Sequence, residues 1–139
     1  MYKRVMFRCI QMVIICTISA SAYAETFECT TKTHNETSDN GLLVPASNKM
    51  YIGSTFTVNV ATGDWSGAPA NNQTVSDRKV QIVDPGNQGM SVSIITTRGG
   101  IIGHLADLLV IKTWVKNQEK PFDYYDANFG FFTGTCVRL

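Results

Sequence analysis

Apolar and polar residues alternate along several short stretches of the chain. Residues 55–60 alternate strictly, with Phe56, Val58 and Val60 on one side and threonine or asparagine on the other. A period of two indicates a β-strand with one buried and one solvated face, which is typical of antiparallel sheets. The same alternation recurs in residues 27–30, 79–82 and 90–95.

Turn-forming residues separate these stretches. Residues 61–64 follow the first stretch, and residues 84–87 (Asp-Pro-Gly-Asn) separate two others. Glycine, proline, asparagine and aspartate favour tight turns, so these positions predict chain reversals. Residues 33–48 and 61–77 are polar enough to predict long surface loops. The pattern predicts an all-β fold with about seven or eight strands, a small antiparallel barrel or sandwich.

Residues 101–116 fit two interpretations. Ile101 and Leu105 have helical spacing, which allows one short helix. The β-branched Val110 favours a strand that begins near Leu108. We expect a strand here, preceded at most by a helical turn.

The first residues have the features of a secretory signal peptide. Three basic residues precede an apolar run over residues 10–18, and Ala-Tyr-Ala at 22–24 provides a cleavage site. The apolar run is shorter than the roughly 20 residues that a membrane-spanning helix needs. We therefore predict a signal peptide over residues 1–24, cleaved after Ala24. The remaining residues 25–139 form one secreted or periplasmic domain with no stable membrane anchor.

Net charge excludes one class of partner. The whole chain carries 12 basic and 11 acidic residues, for a formal charge of +1. Three of the basic residues lie in the predicted signal peptide, which leaves nine against eleven and a charge of −2. Nucleic acids and anionic membranes attract basic proteins, so neither is an expected partner.

Two cysteines remain after the predicted cleavage. Cys29 lies near the start of the domain and Cys136 near its end. In an oxidising compartment such a pair forms a disulfide, here joining the first strand to the last. Closing a loop of about 100 residues stabilises the fold by roughly 4–5 kcal/mol in the chain-entropy description. A zinc site would need both His34 and His104 in addition, so we predict no metal and no cofactor.

The residues around the cysteines are similar to those of a broad group of small exported bacterial β-proteins. These carry a cysteine in the first strand, here Phe-Glu-Cys at 27–29, and a Gly-x-Cys near the end, here Gly-Thr-Cys at 134–136. The resemblance covers two short motifs and implies the architecture alone. It implies no activity.

Motifs for nucleophilic catalysis are incomplete. Residues 63–67 (Gly-Asp-Trp-Ser-Gly) approach the G-x-S-x-G of serine hydrolases, but the serine comes one position late. Ser76 and Lys79 match the S-x-x-K string, yet this segment leads into a predicted strand instead of a helix. We therefore assign no catalytic residue and predict a protein that is not an enzyme. An unrecognised acid pair or a histidine site stays open, because distances between acids cannot be read from a sequence.

Aromatic residues are concentrated near the end of the chain. Seven lie between Trp114 and Phe132. Alternation places Phe129 and Phe131 on one face of the last strand and Phe132 on the other, so rings occupy both faces. One set fills the core, and the other is covered by residues 42–44 or exposed for a ligand or partner. The candidate binding surface comprises Trp65, Trp114, Tyr124, Tyr125, Phe129 and Phe131.

Three functions remain compatible with these observations. The first is a non-enzymatic module, like an inhibitor or an adaptor, that binds another protein through its aromatic residues and loops. The second is a small carrier with an apolar pocket in a barrel. The third is a hydrolase whose acid pair or histidine carries no motif.

Overall fold

Alternating stretches become strands in a computed structural model, which describes residues 25–74, 77–87, 90–100 and 103–139. Within these residues every regular element is a strand, which confirms the all-β prediction. The strands are β1 (Thr26–Thr37), β2 (Leu43–Pro45), β3 (Thr55–Asn59), β4 (Asp64–Gly67), β5 (Lys79–Pro85), β6 (Val92–Gly100), β7 (Gly103–Ile111), β8 (Lys120–Asp126) and β9 (Gly130–Arg138). The predicted signal peptide lies outside the described residues.

Eight strands form a nearly closed antiparallel barrel. Their order is β4-β3-β1-β9-β8-β7-β6-β5, and β2 pairs with the far end of β1. Strands β5 to β9 follow one another as a meander, and β9 then pairs with β1, so the chain's first and last strands lie side by side. This pairing removes two strand edges that would otherwise be exposed.

The seam between β4 and β5 is bridged by side chains from the segment that connects them. Asn72 is buried; its Oδ1 accepts the backbone N–H of Trp65 at 2.8 Å, and its Nδ2 donates to Thr96 Oγ1 at 2.9 Å. Arg78 forms an ion pair with Asp64 at 2.7 Å. These contacts tie β4 to β6 and to the start of β5, where no ladder joins the two ends of the sheet.

The predicted disulfide is present. Cys29 on β1 and Cys136 on β9 lie directly opposite each other and are bonded across 107 residues of sequence. Gly134, two residues before Cys136 on β9, lets β9 approach β1 closely, because a Cβ there would overlap the carbonyl oxygen of Thr30. The disulfide and this close contact fix the register between β1 and β9.

One cluster of buried side chains fills the barrel. The predicted inward face is confirmed as buried: Phe56 and Val58 lie on β3, and Val60 follows it directly. The other large side chains of this cluster come from six strands, β1, β4, β6, β7, β8 and β9. The cluster also contains Phe27, Trp65, Val92, Ile94, Leu109, Ile111, Phe122, Tyr124 and Phe132.

Two loop predictions are wrong in part. The segment 33–48 was expected to be a loop, yet β1 continues to Thr37 and a short strand, Leu43–Pro45, returns beside it. The second half of β1 forms backbone hydrogen bonds with β9 and β2. Its side chains are mostly polar, so the sequence shows no alternation of apolar and polar residues there. The second predicted loop contains β4. The ambiguous segment after residue 102 is the strand Gly103–Ile111, so the helix is excluded there; residues 101–102 are not described.

Candidate functional site

An apolar row crosses the outer face of four neighbouring strands. Ile95 on β6 pairs with Leu108 on β7, Leu108 with Tyr125 on β8, and Tyr125 with Phe131 on β9. Leu108, Tyr125 and Phe131 are 39%, 38% and 38% exposed. The rings of Tyr125 and Phe131 lie 4.8 Å apart, centroid to centroid. We call Ile95, Leu108, Tyr125 and Phe131 the apolar row.

The predicted binding surface divides between core and exterior. The prediction that Trp65 and Tyr124 lie on the surface is wrong. They are 1% and 2% exposed, and their ring centroids lie 5.8 Å apart in the core. Trp65 faces inward because it pairs with the buried Val58, and Tyr124 because it pairs with the buried Phe132.

Trp114 is exposed but does not join the apolar row. It lies in the connection between β7 and β8, whereas the turn between β8 and β9 is at the opposite end of β8. Tyr125 and Phe131 do come together, and Phe129 in that turn is 52% exposed. Leu42 and Leu43, suggested as a cover for these rings, are themselves 61% and 57% exposed.

Two buried carboxylates hold the turn that carries Phe129. The backbone N–H of Ala127 donates to Asp107 Oδ1 at 3.1 Å. The N–H groups of Asn128 and Phe129 donate to Asp126 Oδ1 at 2.7 and 3.0 Å. All three backbone N–H groups of the turn therefore have a carboxylate acceptor, and the backbone that presents the Phe129 ring is fixed from below.

His34 holds the same turn from the neighbouring strand. Its Nε2 lies 2.8 Å from the carbonyl oxygen of Phe129, and its Nδ1 lies 3.0 Å from the carbonyl oxygen of Asn48. The imidazole stacks on Phe132 with centroids 4.3 Å apart. With the proton on Nε2, both backbone polar groups of Phe129 have a partner, while its ring is 52% exposed.

Arg98 supplies one positive charge against the two buried acids. Its Nη2 donates to Asp107 Oδ1 at 3.2 Å and to Asp126 Oδ1 at 3.4 Å. Tyr124 donates its hydroxyl to Asp126 Oδ2 at 2.9 Å. With both carboxylates ionised, the cluster carries one excess negative charge.

Burial dominates the electrostatics of this cluster. Loss of solvent raises the pKa of Asp107, and the negative charge of Asp126 raises it further. The hydrogen bond from the N–H of Ala127 and the positive charge of Arg98 lower this pKa, but by less. Burial, followed by the charges of Asp126 and Asp107, also raises the pKa of Tyr124. The tyrosine therefore stays a neutral hydrogen-bond donor at physiological pH.

A cleft of about 330 Å³ opens beside this turn, next to the apolar row. Gly130 shapes it, with φ +102° and a Cβ position that would overlap the carbonyl oxygen of Asn35. This lets β9 start directly against β1, next to the backbone of Glu36. The lining residues are Glu36, Thr37, Tyr125, Asp126, Ala127, Asn128, Phe129 and Gly130.

Comparison with known proteins gives no assignment. No family model, no curated protein and no solved structure matches this chain. In the described ranges, no three His, Cys, Asp or Glu side chains lie together as metal ligands. No helix in those ranges is long and apolar enough to cross a membrane. The side chains of Ser76 and His104, both considered from the sequence, lie outside the described part.

Sequence reasoning missed Arg98, Asp107 and Asp126. They belong to three different strands and meet only through strand register. No local motif marks them, because a charged residue on a strand is ordinarily solvated. The one available signal was the spacing of Asp126 three residues before Phe129, which is typical of an aspartate that caps a turn.

Proposed function

We propose that this chain is an exported, non-enzymatic module that binds another protein through the apolar row and Phe129. The observation that supports the proposal is the row itself, in which exposed apolar side chains lie in direct register on adjacent strands. Contiguous exposed apolar surface is uncommon on monomeric proteins and marks interaction sites. Exposed aromatic residues on rigid backbone are typical of binding hot spots.

The rigidity of the turn supports the same proposal. Binding orders flexible side chains and loops, and this ordering reduces affinity. Here the backbone of Phe129 is held by Asp126 and His34 before any partner arrives. The ring therefore enters an interface with little further loss of backbone freedom.

Support for the other two functions is weaker. A carrier needs interior space, and Phe56, Val58, Ile94 and Phe132 are buried together in the barrel interior. A hydrolase needs carboxylates that reach a substrate, whereas Asp107 and Asp126 accept hydrogen bonds from the turn and from Arg98.

Affinity capture tests the binding function. The immobilised protein is exposed to extracellular or periplasmic proteins of the producing cell, in parallel with a Tyr125→Ser/Phe131→Ser variant. We expect one protein to be retained by the native chain and reduced about tenfold or more by the double substitution. The matched control is Trp114→Ser, which removes a more exposed aromatic residue away from the row and should retain the partner. Capture of nothing, or equal capture by the double variant, contradicts the proposal.

Export is tested separately. Mass spectrometry of the protein purified from the producing cell should show a chain that begins at Glu25 and contains one disulfide. A cytoplasmic chain that begins at Met1 and has free thiols contradicts export. The disulfide between Cys29 and Cys136 is compatible with an oxidising location outside the cytoplasm.

A further inference from the structure

We propose that the cleft beside the β8–β9 turn binds a cationic side chain of the partner, an arginine or a lysine. The residues next to that cation in the partner would pack on the apolar row. This inference rests on the proposed function and adds the chemistry of the partner. It is carried by the charge of the cleft, its aromatic walls and its rigid frame.

The residues that line the cleft include two acidic ones and no basic one. Asp126 lines it and belongs to the cluster with Asp107 and Arg98, which carries one more negative charge than positive when both carboxylates are ionised. Glu36 is the second acidic residue that lines the cleft. Among the residues that the structure describes, Glu36 accepts a long contact from the N–H of Ser47 and has no ion-pair partner. A cation entering here therefore meets charge that the protein itself does not balance.

The basic residues nearest in the sequence face elsewhere. Lys32 forms an ion pair with Glu119 at 3.2 Å. Lys49 and Lys32 line a separate cleft together with Asn35. Neither residue lines the cleft that contains Glu36. The two clefts therefore differ in charge, and the acidic one adjoins the apolar row.

Aromatic walls give the cleft a second property that suits a cation. Tyr125 and Phe129 both line it, and both rings are substantially exposed. A guanidinium or ammonium group over an aromatic face is attracted by the ring's quadrupole. Carboxylates and ring faces together recognise arginine in particular, whose planar group stacks and donates at the same time.

Size favours a side chain over a larger ligand. The cleft, about 330 Å³, lies at the small end of the range of roughly 300–1,000 Å³ for ligand pockets. Its frame is rigid, because Asp107 and Asp126 hold the turn and Gly130 sits against β1. A preformed site of this size needs little reorganisation on binding.

Two matched peptides test the inference on the full chain. The probe is acetyl-leucyl-arginyl-leucine amide, and its control replaces arginine by citrulline, which has nearly the same shape and no charge. Binding is followed by NMR through the backbone amide signals of residues 127–130. We expect saturable shifts with the arginine peptide and at least about fivefold weaker binding of the citrulline peptide.

Paired substitutions locate the site. Glu36→Gln should weaken the arginine peptide by about threefold or more and leave the citrulline peptide unchanged. Glu28→Gln is the matched control, since Glu28 is an exposed acid on the same strand, in its other half. Phe129→Leu, which keeps an apolar side chain and removes the ring, should also weaken the arginine peptide selectively.

Each other outcome overturns the inference. These are equal affinity for both peptides, no shift of the turn amides at about 1 mM peptide, and equal effects of Glu36→Gln and Glu28→Gln. The failure is distinguishable from a failure of the proposed function. If capture of the partner depends on Tyr125 and Phe131 but not on Glu36, only the cation site is wrong. If the arginine peptide binds while the Tyr125→Ser/Phe131→Ser variant captures the partner fully, the binding role of the row is wrong.

Discussion

Replacing Asp126 by alanine should destabilise the domain far more than an ordinary surface substitution. Asp126 is buried at the end of β8 and accepts hydrogen bonds from the hydroxyl of Tyr124 and from the N–H groups of Asn128 and Phe129. Arg98 lies 3.4 Å from the same carboxylate. Alanine leaves each of these donors without its acceptor.

The expected size follows from the surroundings of each donor. The Tyr124 hydroxyl is buried, so leaving it unpaired costs about 1–3 kcal/mol. The two turn N–H groups lie nearer to solvent, and each loss costs about 0.5–1.5 kcal/mol. Relief of repulsion between Asp126 and Asp107 offsets a small part. We expect a decrease of roughly 2–5 kcal/mol, a large share of the roughly 5–15 kcal/mol that a domain of this kind has.

Asp123 on the same strand provides the control. It is exposed and forms an ion pair with Lys112 at 2.6 Å. Exposed pairs contribute about 0–1 kcal/mol, so Asp123→Ala should have little effect. Denaturant unfolding, followed by the fluorescence of the buried Trp65, measures both variants. A decrease for Asp126→Ala no larger than that for Asp123→Ala would refute the role assigned to the buried carboxylate.

Three further changes have expected results. Phe132→Ala should lower the free energy of unfolding by about 3–5 kcal/mol and Phe131→Ala by about 1 kcal/mol, measured by denaturant titration; equal losses contradict their inward and outward positions. Replacing both Cys29 and Cys136 by serine should cost about 2–5 kcal/mol in the same assay, and an unchanged midpoint contradicts a stabilising disulfide. Because burial raises the folded-state pKa of Asp107, the folded state binds its proton more tightly, and this group's contribution to stability falls as pH rises above its ordinary 3.8. The difference between the free energy of unfolding of the native protein and that of Asp107→Asn should therefore decrease as pH rises above 3.8. An increase of this difference with pH contradicts the prediction.

Local pattern was sufficient for the parts of the fold in which one side of a strand is apolar. Phe56, Val58 and Val60 reveal their buried face without any knowledge of the neighbouring strands. The disulfide was predictable because only two cysteines follow the predicted signal peptide, one near each end of the domain. Antiparallel pairing of the first and last strands follows from that covalent bond more readily than from their composition.

Register decided what the sequence left open. Tyr124 and Tyr125 are adjacent, so one must face inward, and pairing of Tyr124 with Phe132 determines which. Trp65 lies in a four-residue strand within a polar region, and it is buried because it pairs with Val58. Such pairings join residues far apart in the sequence, and a period of two within each strand does not specify them.

The buried charges and the exposed rings occur at the same end of β8 and β9, and neither is explained by stability alone. Apolar side chains in place of Arg98, Asp107 and Asp126 would fill the barrel end about as favourably, since desolvation offsets much of the attraction within a buried ion cluster. Apolar side chains would not accept the N–H groups of the turn. The particular effect of the two acids is therefore to fix the backbone of Phe129, whose ring is 52% exposed and lies outside the buried core cluster. Polar residues on the outer face would likewise serve the isolated domain at least as well as the apolar row. The proposed binding function accounts for both departures, because a rigid turn and an exposed aromatic ring each favour association with a partner more than folding of the free chain.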